Sequence, residues 1–310
     1  MNIISNPADL PGEKRVCLAI GVFDGVHLGH QQVIRQMISD AGPREAQSVV
    51  ITFDRHPNTV VAPDRVPPLI YSLPQKLRAI SALGVRTTLL IHFDEDFSRQ
   101  TGEQFIRALA RDFQHIDSIC VGSTFTFGHK RSGDVALLSR LGQELRFTVH
   151  ALAAVSLDGE IVSSTRIREA IRAGEFDLAG QMLGRAYSLA GPVIHGDHLG
   201  RQLGFPTANI DITGLVLPPA GVYAIHAQAR GRIWRGVLNI GRRPTLQNPV
   251  PDLRVEAHLF DFDGDLYGEE MEVFLMQKLR DEQKFSSLDA LKAQIDSDIA
   301  TAKARFSGPE

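Results

Sequence analysis

The stretch Gly21-Val-Phe-Asp-Gly-Val-His-Leu-Gly-His30 gathers glycines, an aspartate and two histidines within one short segment. Glycines let a backbone approach a ligand closely, and a helix N-terminus offers N–H groups that suit phosphate. His27 and His30 could add side-chain donors to the same anion. A nucleoside triphosphate is the ligand such a turn would take. The segment follows an apolar run at 16–20 that reads as a buried strand. It precedes residues 31–38, where Val33, Ile34, Met37 and Ile38 fall on one helical face. The competing reading is a glycine-rich turn with idle, exposed histidines; a strand before it and an amphipathic helix after it favour the phosphate site. The pattern is not the dinucleotide G-x-G-x-x-G, and no Gly-Lys pair occurs to make a Walker-type loop.

A second set of candidates lies further along. Gly196, Gly200 and Gly204 are evenly spaced and lead into Phe205-Pro-Thr-Ala-Asn-Ile210. Thr207 and Asn209, two residues apart, project to one side of a strand, as two neutral oxygen ligands for magnesium would. Glu256 lies on the strand face opposite Val255, Ala257 and Leu259. A charge there is most often merely solvated; with Thr207 and Asn209 nearby it becomes a general-base candidate.

The elements that must carry these residues can be read from periodicity. Strand-like runs lie at 16–20, 48–53, 87–93, 118–122 and 147–155. Helical patterns fall at 75–83, 102–113, 134–145, 165–173 and 176–183, besides the one after His30. Strands separated by helices predict right-handed crossovers and a parallel sheet buried on both faces. Ligands of such a sheet bind beyond the carboxyl ends of its strands. The polar runs stand where that rule demands: Thr52-Phe-Asp-Arg-His-Pro57 after the second strand, residues 121–134 after the fourth, and Ser163-Ser-Thr-Arg-Ile-Arg168 after the fifth. Phe125 and Phe127, flanked by Gly122, Gly128 and Gly133, read either as core or as walls for a flat ligand.

Beyond about residue 184 the texture changes. Strands at 221–229 and 232–240 are joined through Arg230-Gly231, a hairpin signal. Alternation around 255–260 and 271–275 predicts antiparallel sheet with one buried face. Leu288, Leu291, Ile295 and Ile299 recur at helical spacing in the tail. The expected class is therefore α/β plus β: a Rossmann-like parallel-sheet domain at 1–183 and a small antiparallel barrel with a closing helix at 184–310.

Bulk properties bound the function. A length of 310 residues suffices for two cores, and a net charge of −3 offers no general attraction to nucleic acid or an anionic membrane. Phosphate binding must then be local. Cys17 and Cys120 lie in apolar runs and read as reduced core residues. The N-terminus lacks a basic region followed by an apolar signal core, and no run approaches a membrane span, so a soluble cytoplasmic protein is expected.

The turn at 21–30 resembles the signature of the class I nucleotidyltransferase superfamily. Together with the runs at 52–57, 121–134 and 163–168 it resembles the FMN adenylyltransferase module of bacterial bifunctional riboflavin kinase/FAD synthetases. The resemblance implies that His27 and His30 contact ATP phosphates while Gly21, Phe23, Asp24, Gly25 and Gly29 cradle the nucleotide. It implies that Ser164, Thr165 and Arg168 form a second phosphate-binding segment, and that Pro57, Phe125, Phe127 and Arg131 belong to the flavin site. One position departs: where the family pattern has Asp or Asn, this chain has Thr124, which can hydrogen-bond but supplies no carboxylate. In the second half, residues 196–210, 217–223, 236–245, 255–258 and 265–268 are similar to the flavokinase module of the same enzymes. There Gly196, Gly200 and Gly204 would serve ATP, Thr207 and Asn209 would bind Mg²⁺-ATP, and Glu256 would activate the ribityl hydroxyl of riboflavin. The activity implied is conversion of riboflavin to FMN and then to FAD with ATP and Mg²⁺. Rival readings are a nucleotidyltransferase with another acceptor, which the Pro-Thr-Ala-Asn module does not fit, and a non-catalytic flavin or nucleotide binder.

Overall fold

The computed structural model describes residues 1–10, 15–196, 200, 203–245 and 248–306, with the backbone alone for 242–253. Asp197, His198, Leu199, Arg201 and Gln202 of the glycine-spaced run lie outside the described residues, as do the side chains of Arg243, Pro244 and Thr245. By contacts the chain divides into two compact units, one of Met1–Ile167 with Met182–Gly184 and one of Arg168–Gln181 with Arg185–Glu310.

The first unit is built on six parallel strands: β1 (Asn2–Ile4), β2 (Arg15–Ile20), β3 (Gln47–Phe53), β4 (Thr87–Ile91), β5 (His115–Gly122) and β6 (Thr148–Leu152). Their order is β1-β4-β3-β2-β5-β6. Its helices are α1 (Leu28–Ala41), α2 (Asn58–Val61), α3 (Leu73–Ala82), α4 (Glu95–Ser98), α5 (Gly102–Phe113) and α6 (Val135–Leu145). Strand alternation sorts the side chains into two cores. Val16, Leu18 and Ile20 of β2 join Phe105, Ile106, Leu109 and Leu138 on one face. Cys17 and Ala19 join Val33, Ile34, Met37 and Ile80 on the other. A sheet covered on both faces needs apolar residues at every position, which is why β2 reads as one unbroken run. Both cysteines are free and buried, and burial pushes both thiols upward.

Chain order reverses between β2 and β5, so the crevice beyond their carboxyl ends is the switch point at which such sheets hold ligands. The 21–30 turn leaves β2 at that edge. Two elements differ from expectation. β1 adds to the sheet edge by pairing with β4. The expected strand at 147–155 stops at Leu152, and a hairpin of β7 (Ser156–Leu157) and β8 (Glu160–Ile161) precedes the Ser163 run. Asp158-Gly159, both at positive φ, forms its two-residue loop, a strong hairpin signal in so short a span.

The helices α7 (Ser164–Ala173) and α8 (Phe176–Leu183) lead into a closed barrel. Its strands are β9 (Ser188–Ile194), β10 (Ala208–Ile210), β11 (Gly221–Ala229), β12 (Arg232–Thr245), β13 (Asn248–Leu259) and β14 (Glu270–Arg280). They close in the order β10-β13-β12-β11-β14-β9, all antiparallel. The β11–β12 hairpin turns at Arg230-Gly231 as expected. The last helix, α9 (Leu288–Phe306), packs Ile299, Ala302 and Phe306 against Val222, Ala224, Val237 and Phe260. Leu288, at its first position, stays 60% exposed, so the apolar stripe begins one turn later than the spacing suggests.

Candidate active sites

In the first unit the turn after β2 is strained and clamped. Phe23 (φ 53°) and Val26 (φ 42°) are non-glycine residues in the left-handed region, flanking Gly25 (φ 76°). Such residues cost on the order of 1–3 kcal/mol each and persist only where the surroundings over-determine them. Here the surroundings do. The buried Asp24 carboxylate accepts from Ile70 N–H (2.9 and 3.2 Å) and Tyr71 N–H (3.4 Å). Ser164 Oγ donates to the Asp24 carbonyl at 3.1 Å. Gln31 Nε2 donates to the Val26 carbonyl at 3.0 Å and to the Leu183 carbonyl at 2.7 Å. Thr52 Oγ1 donates to the Val22 carbonyl at 3.0 Å.

The clamped turn delivers His27 to the N-cap of α1, where its side chain makes no capping bond. Without such a cap, the first-turn N–H groups suit an anion. The His27 and His30 rings stack at 3.6 Å between centroids, and Phe23 meets His30 edge-on at 5.3 Å. A methyl at Gly29 would lie 3.2 Å from His27 Cε1, so glycine there leaves the imidazole its place over the helix end. The structure thus gathers Gly21, Phe23, Asp24, Gly25, His27, Gly29, His30 and Ser164. Asp24, expected beside the nucleotide, spends its carboxylate on backbone N–H groups. Thr165 is exposed on the first turn of α7, and Arg168, one turn on, is buried.

Pro57 opens α2. Phe125 and Phe127 stack on one another at 5.0 Å and pack against the core beneath α5 and α6. Phe127 fits because Gly133 is a glycine: a methyl there would meet the ring at 2.7 Å. Thr124 and Arg131 are exposed. Sequence reasoning missed Lys76, whose buried amine donates to the Phe53 carbonyl at 2.8 Å, Thr52 Oγ1 at 3.3 Å and the Val22 carbonyl at 3.4 Å. Desolvation pushes its pKa down to about 8 against the pull of Asp24 and Asp54. Burial also works against ionisation of Asp54, but bonds from Phe93 N–H, His92 and Arg55 outweigh it and hold that carboxyl below its ordinary range. The available signal was a lysine four residues before Ile80, on the buried stripe of α3.

In the second unit the barrel register aligns the chemistry. Asn209 of β10 pairs with Glu256 of β13, which pairs on its other side with Asn239 of β12. Directly paired residues share a face. This row lines a cavity of about 330 Å³, together with Thr207, Gly200 and Phe205. Gly196 and Gly200 are required by close approach: a methyl on the first would collide with the Asn209 amide, and one on the second with the Phe205 carbonyl and, at 3.1 Å, with Thr207 Oγ1. Gly204 supplies a left-handed turn (φ 90°) just before the Phe-Pro-Thr run. His258 Nδ1 lies 2.8 Å from the Pro206 carbonyl, so that nitrogen carries the proton and the ring holds the segment that presents Thr207. Neither Asn239 nor His258 was singled out from the sequence, although both stand in runs that were. Arg280 binds Asp298 of α9 through Nε and Nη2 at 2.9–3.0 Å, tying the helix to the cavity wall.

The donor set fits a hard cation shared with a nucleotide. Thr207 and Asn209 bring side-chain oxygens to the cavity, and Glu256 a carboxylate. Among the described residues no group of three or more His, Cys, Asp or Glu could hold a metal ion. Magnesium bound with a nucleotide commonly takes one or two protein oxygens plus phosphates and water.

The two halves match separate family models, "FAD synthetase" over residues 11–166 and "Riboflavin kinase" over 183–306. Proteins named bifunctional riboflavin kinase/FMN adenylyltransferase match nearly end to end. The one from Pseudomonas fluorescens is 38% identical over 98% of this chain and 97% of its own length. That from Haemophilus influenzae is 39% identical over 93% and 94%, and that from Escherichia coli 38% over 98% and 96%. Among solved structures, a protein from Streptococcus pneumoniae titled a macrolide-efflux protein superposes with a TM-score of 0.80 at 29% identity, covering 97% of this chain and 98% of its own. Among the described residues here, no helix is long and apolar enough to cross a membrane.

Proposed function

The chain belongs to the family of bifunctional riboflavin kinase/FMN adenylyltransferases, and we propose that its two reactions divide between the two sites just described, with the functional boundary near residue 184. The enzyme phosphorylates riboflavin to FMN with ATP and adenylates FMN to FAD. Both are in-line transfers at phosphorus, for which positioning and charge stabilisation supply most of the catalysis.

The observation that carries the kinase assignment is the row Asn209, Glu256, Asn239 along one cavity wall. Glu256 takes the proton from the 5′-hydroxyl of riboflavin as that oxygen attacks the γ-phosphorus of ATP, and ADP leaves. Thr207 and Asn209 would hold Mg²⁺ beside the ATP phosphates, where the ion would supply charge neutralisation. Gly196 and Gly200 give their side chains room, and the His258 bond to Pro206 fixes the segment between. Thr207→Ala and Asn209→Ala should each lower FMN formation roughly tenfold or more and raise the magnesium concentration for half-maximal rate. A magnesium titration superimposable on wild type in both variants removes the pair from the metal site.

For adenylyl transfer, an FMN phosphate oxygen attacks the α-phosphorus of ATP and pyrophosphate leaves. The nucleophile is already an anion, so no strong base is required. The turn at 21–30 supports this reading because it offers helix N–H groups and two stacked imidazoles where the sheet order switches. Ser164 sits against the same turn, and Thr165 and Arg168 of the same helix are assigned with it to phosphate binding. Pro57, Phe125, Phe127 and Arg131 are assigned to the flavin. The exposed Thr124, in the turn that bonds Phe125 N–H to the Gly122 carbonyl, has room for a larger polar residue. Thr124→Asn should therefore preserve or raise the rate of FAD formation from FMN. A well-folded variant that makes no FAD overturns the assignment of that loop. The whole reading is tested by incubating the protein with riboflavin, ATP and Mg²⁺ and separating products over time: FMN should rise first and FAD follow it.

A further inference from the structure

We propose that Lys76 is a positioning residue for adenylyl transfer: its amine, bonded to the Phe53 carbonyl, Thr52 Oγ1 and the Val22 carbonyl, holds the 21–26 turn in the shape that presents His27, His30 and the α1 N-terminus to the ATP phosphates. The inference rests on the reading of that turn as the adenylyl-transfer site. Its observations are independent of that reading. A lysine is rarely buried, and Lys76 is only 8% exposed. An ammonium carries three N–H donors, and the three oxygens around this one match that number.

Each oxygen belongs to a part that must stay in register. Val22 immediately precedes the left-handed Phe23; Phe53 ends β3; Thr52, wholly buried, accepts from Lys76 and donates its own O–H to the Val22 carbonyl. The remaining turn carbonyls have their own clamps, Ser164 on Asp24 and Gln31 on Val26. Lys76 is the clamp that ties the turn's entry to both β3 and α3. Strain stored in Phe23 and Val26 gives the turn a reason to relax when a clamp is released. Arginine, longer and planar, cannot reproduce three convergent donors from this position, though it keeps the charge.

Chemistry then predicts an alkaline response. The charged groups facing the amine are Asp24 from the turn and Asp54 after β3, the latter bonded to His92 and Arg55. Desolvation outweighs their attraction, and the amine titrates near pH 8 rather than 10.5. Once neutral it keeps two N–H groups and turns a lone pair toward oxygens, two of which can only accept. The turn loosens. Stability moves the other way. Between about pH 8 and 10.5 the unfolded chain holds the extra proton, so this group's contribution to stability rises with pH. A lysine that served folding alone would not lose activity in the window where it ceases to cost stability.

The test compares FAD formation from FMN with FMN formation from riboflavin in one full-length protein, from about pH 7 to about pH 9.5. In the wild type, FAD formation should fall above about pH 8 while FMN formation does not show that step. Lys76→Met should reduce kcat/KM for FAD formation roughly tenfold or more at neutral pH and flatten its profile, with riboflavin phosphorylation unchanged. Lys76→Arg, if folded by thermal unfolding, should abolish the alkaline step at a reduced rate. If Lys76→Met fails to fold, the wild-type comparison decides: an alkaline step in both activities, or in neither, overturns the proposal. So does a folded Lys76→Met with wild-type FAD formation. A His27→Ala, His30→Ala variant run alongside separates the two claims: if it makes FAD normally, the site reading itself has failed, whereas loss of FAD there with an unaffected Lys76→Met sinks only the role of Lys76.

Discussion

Glu256→Gln should stop the enzyme at riboflavin. The substitution keeps the side chain's length and its place between Asn209 and Asn239 but replaces a carboxylate with an amide that accepts no proton. General-base catalysis contributes typically ~10²–10⁴-fold, and the loss of FMN formation should fall in that range. The same protein supplied with FMN and ATP should make FAD at an undiminished rate, because the turn at 21–30 lies in the other unit. Glutamine sits in the same row at the same volume, so thermal unfolding should hardly move. The two-site assignment fails if the folded variant loses both activities equally. It fails differently if FMN formation survives, for then Glu256 is one more polar residue on a barrel wall.

The complementary result is expected from a His27→Ala, His30→Ala variant, which should convert riboflavin to FMN and accumulate it. Removal of one preorganised donor from a charge-stabilising site costs roughly 10²–10³ in rate, and this variant removes two. The rings also stack on each other, His30 meets the edge of Phe23, and His27 is buried, so the double change leaves a void at the base of the turn. Thermal unfolding must be measured beside activity. A control by Phe23→Leu, which disturbs packing and keeps both imidazoles, separates lost donors from lost support. Should the double variant form FAD at more than about a tenth of the wild-type rate, the histidines are not the phosphate donors.

Much of the candidate sites was legible in the sequence because the candidate residues lie close together along the chain. Gly21 to His30 is a single turn between one strand and one helix, and Thr207, expected on a strand with Asn209, stands immediately before the short strand that carries Asn209. Glycine positions could be assigned a purpose once their neighbours were seen: Gly196 and Gly200 matter through the Asn209 and Thr207 side chains, which periodicity cannot bring together. What escaped notice depends on partners distant in the chain. Asn239 joins the site through strand register alone. Lys76 reaches oxygens 23 and 24 residues upstream along one strand end, and a third from the turn itself. The Asp158-Gly159 hairpin was missed for a different reason, since two-residue strands carry too few side chains to show alternation.

The path of the chain between the units carries a consequence for how such an enzyme can be assembled or taken apart. Residues 168–181 belong by contact with the barrel, residues 182–184 return to the sheet, and the barrel resumes at 185. Phe176 stacks on Tyr187 at 6.1 Å and meets Tyr223 at 5.9 Å, while the Leu183 carbonyl is bound by Gln31. A break at 183, where the match to the riboflavin kinase family model begins, would therefore part Phe176 from Tyr187 and Tyr223. A break near 168 would cut through α7 and detach Leu183 from its glutamine. A fragment meant to carry one activity alone should therefore be cut with the 168–184 stretch kept whole, and a cut inside it should lower the thermal stability of the piece that loses its contacts.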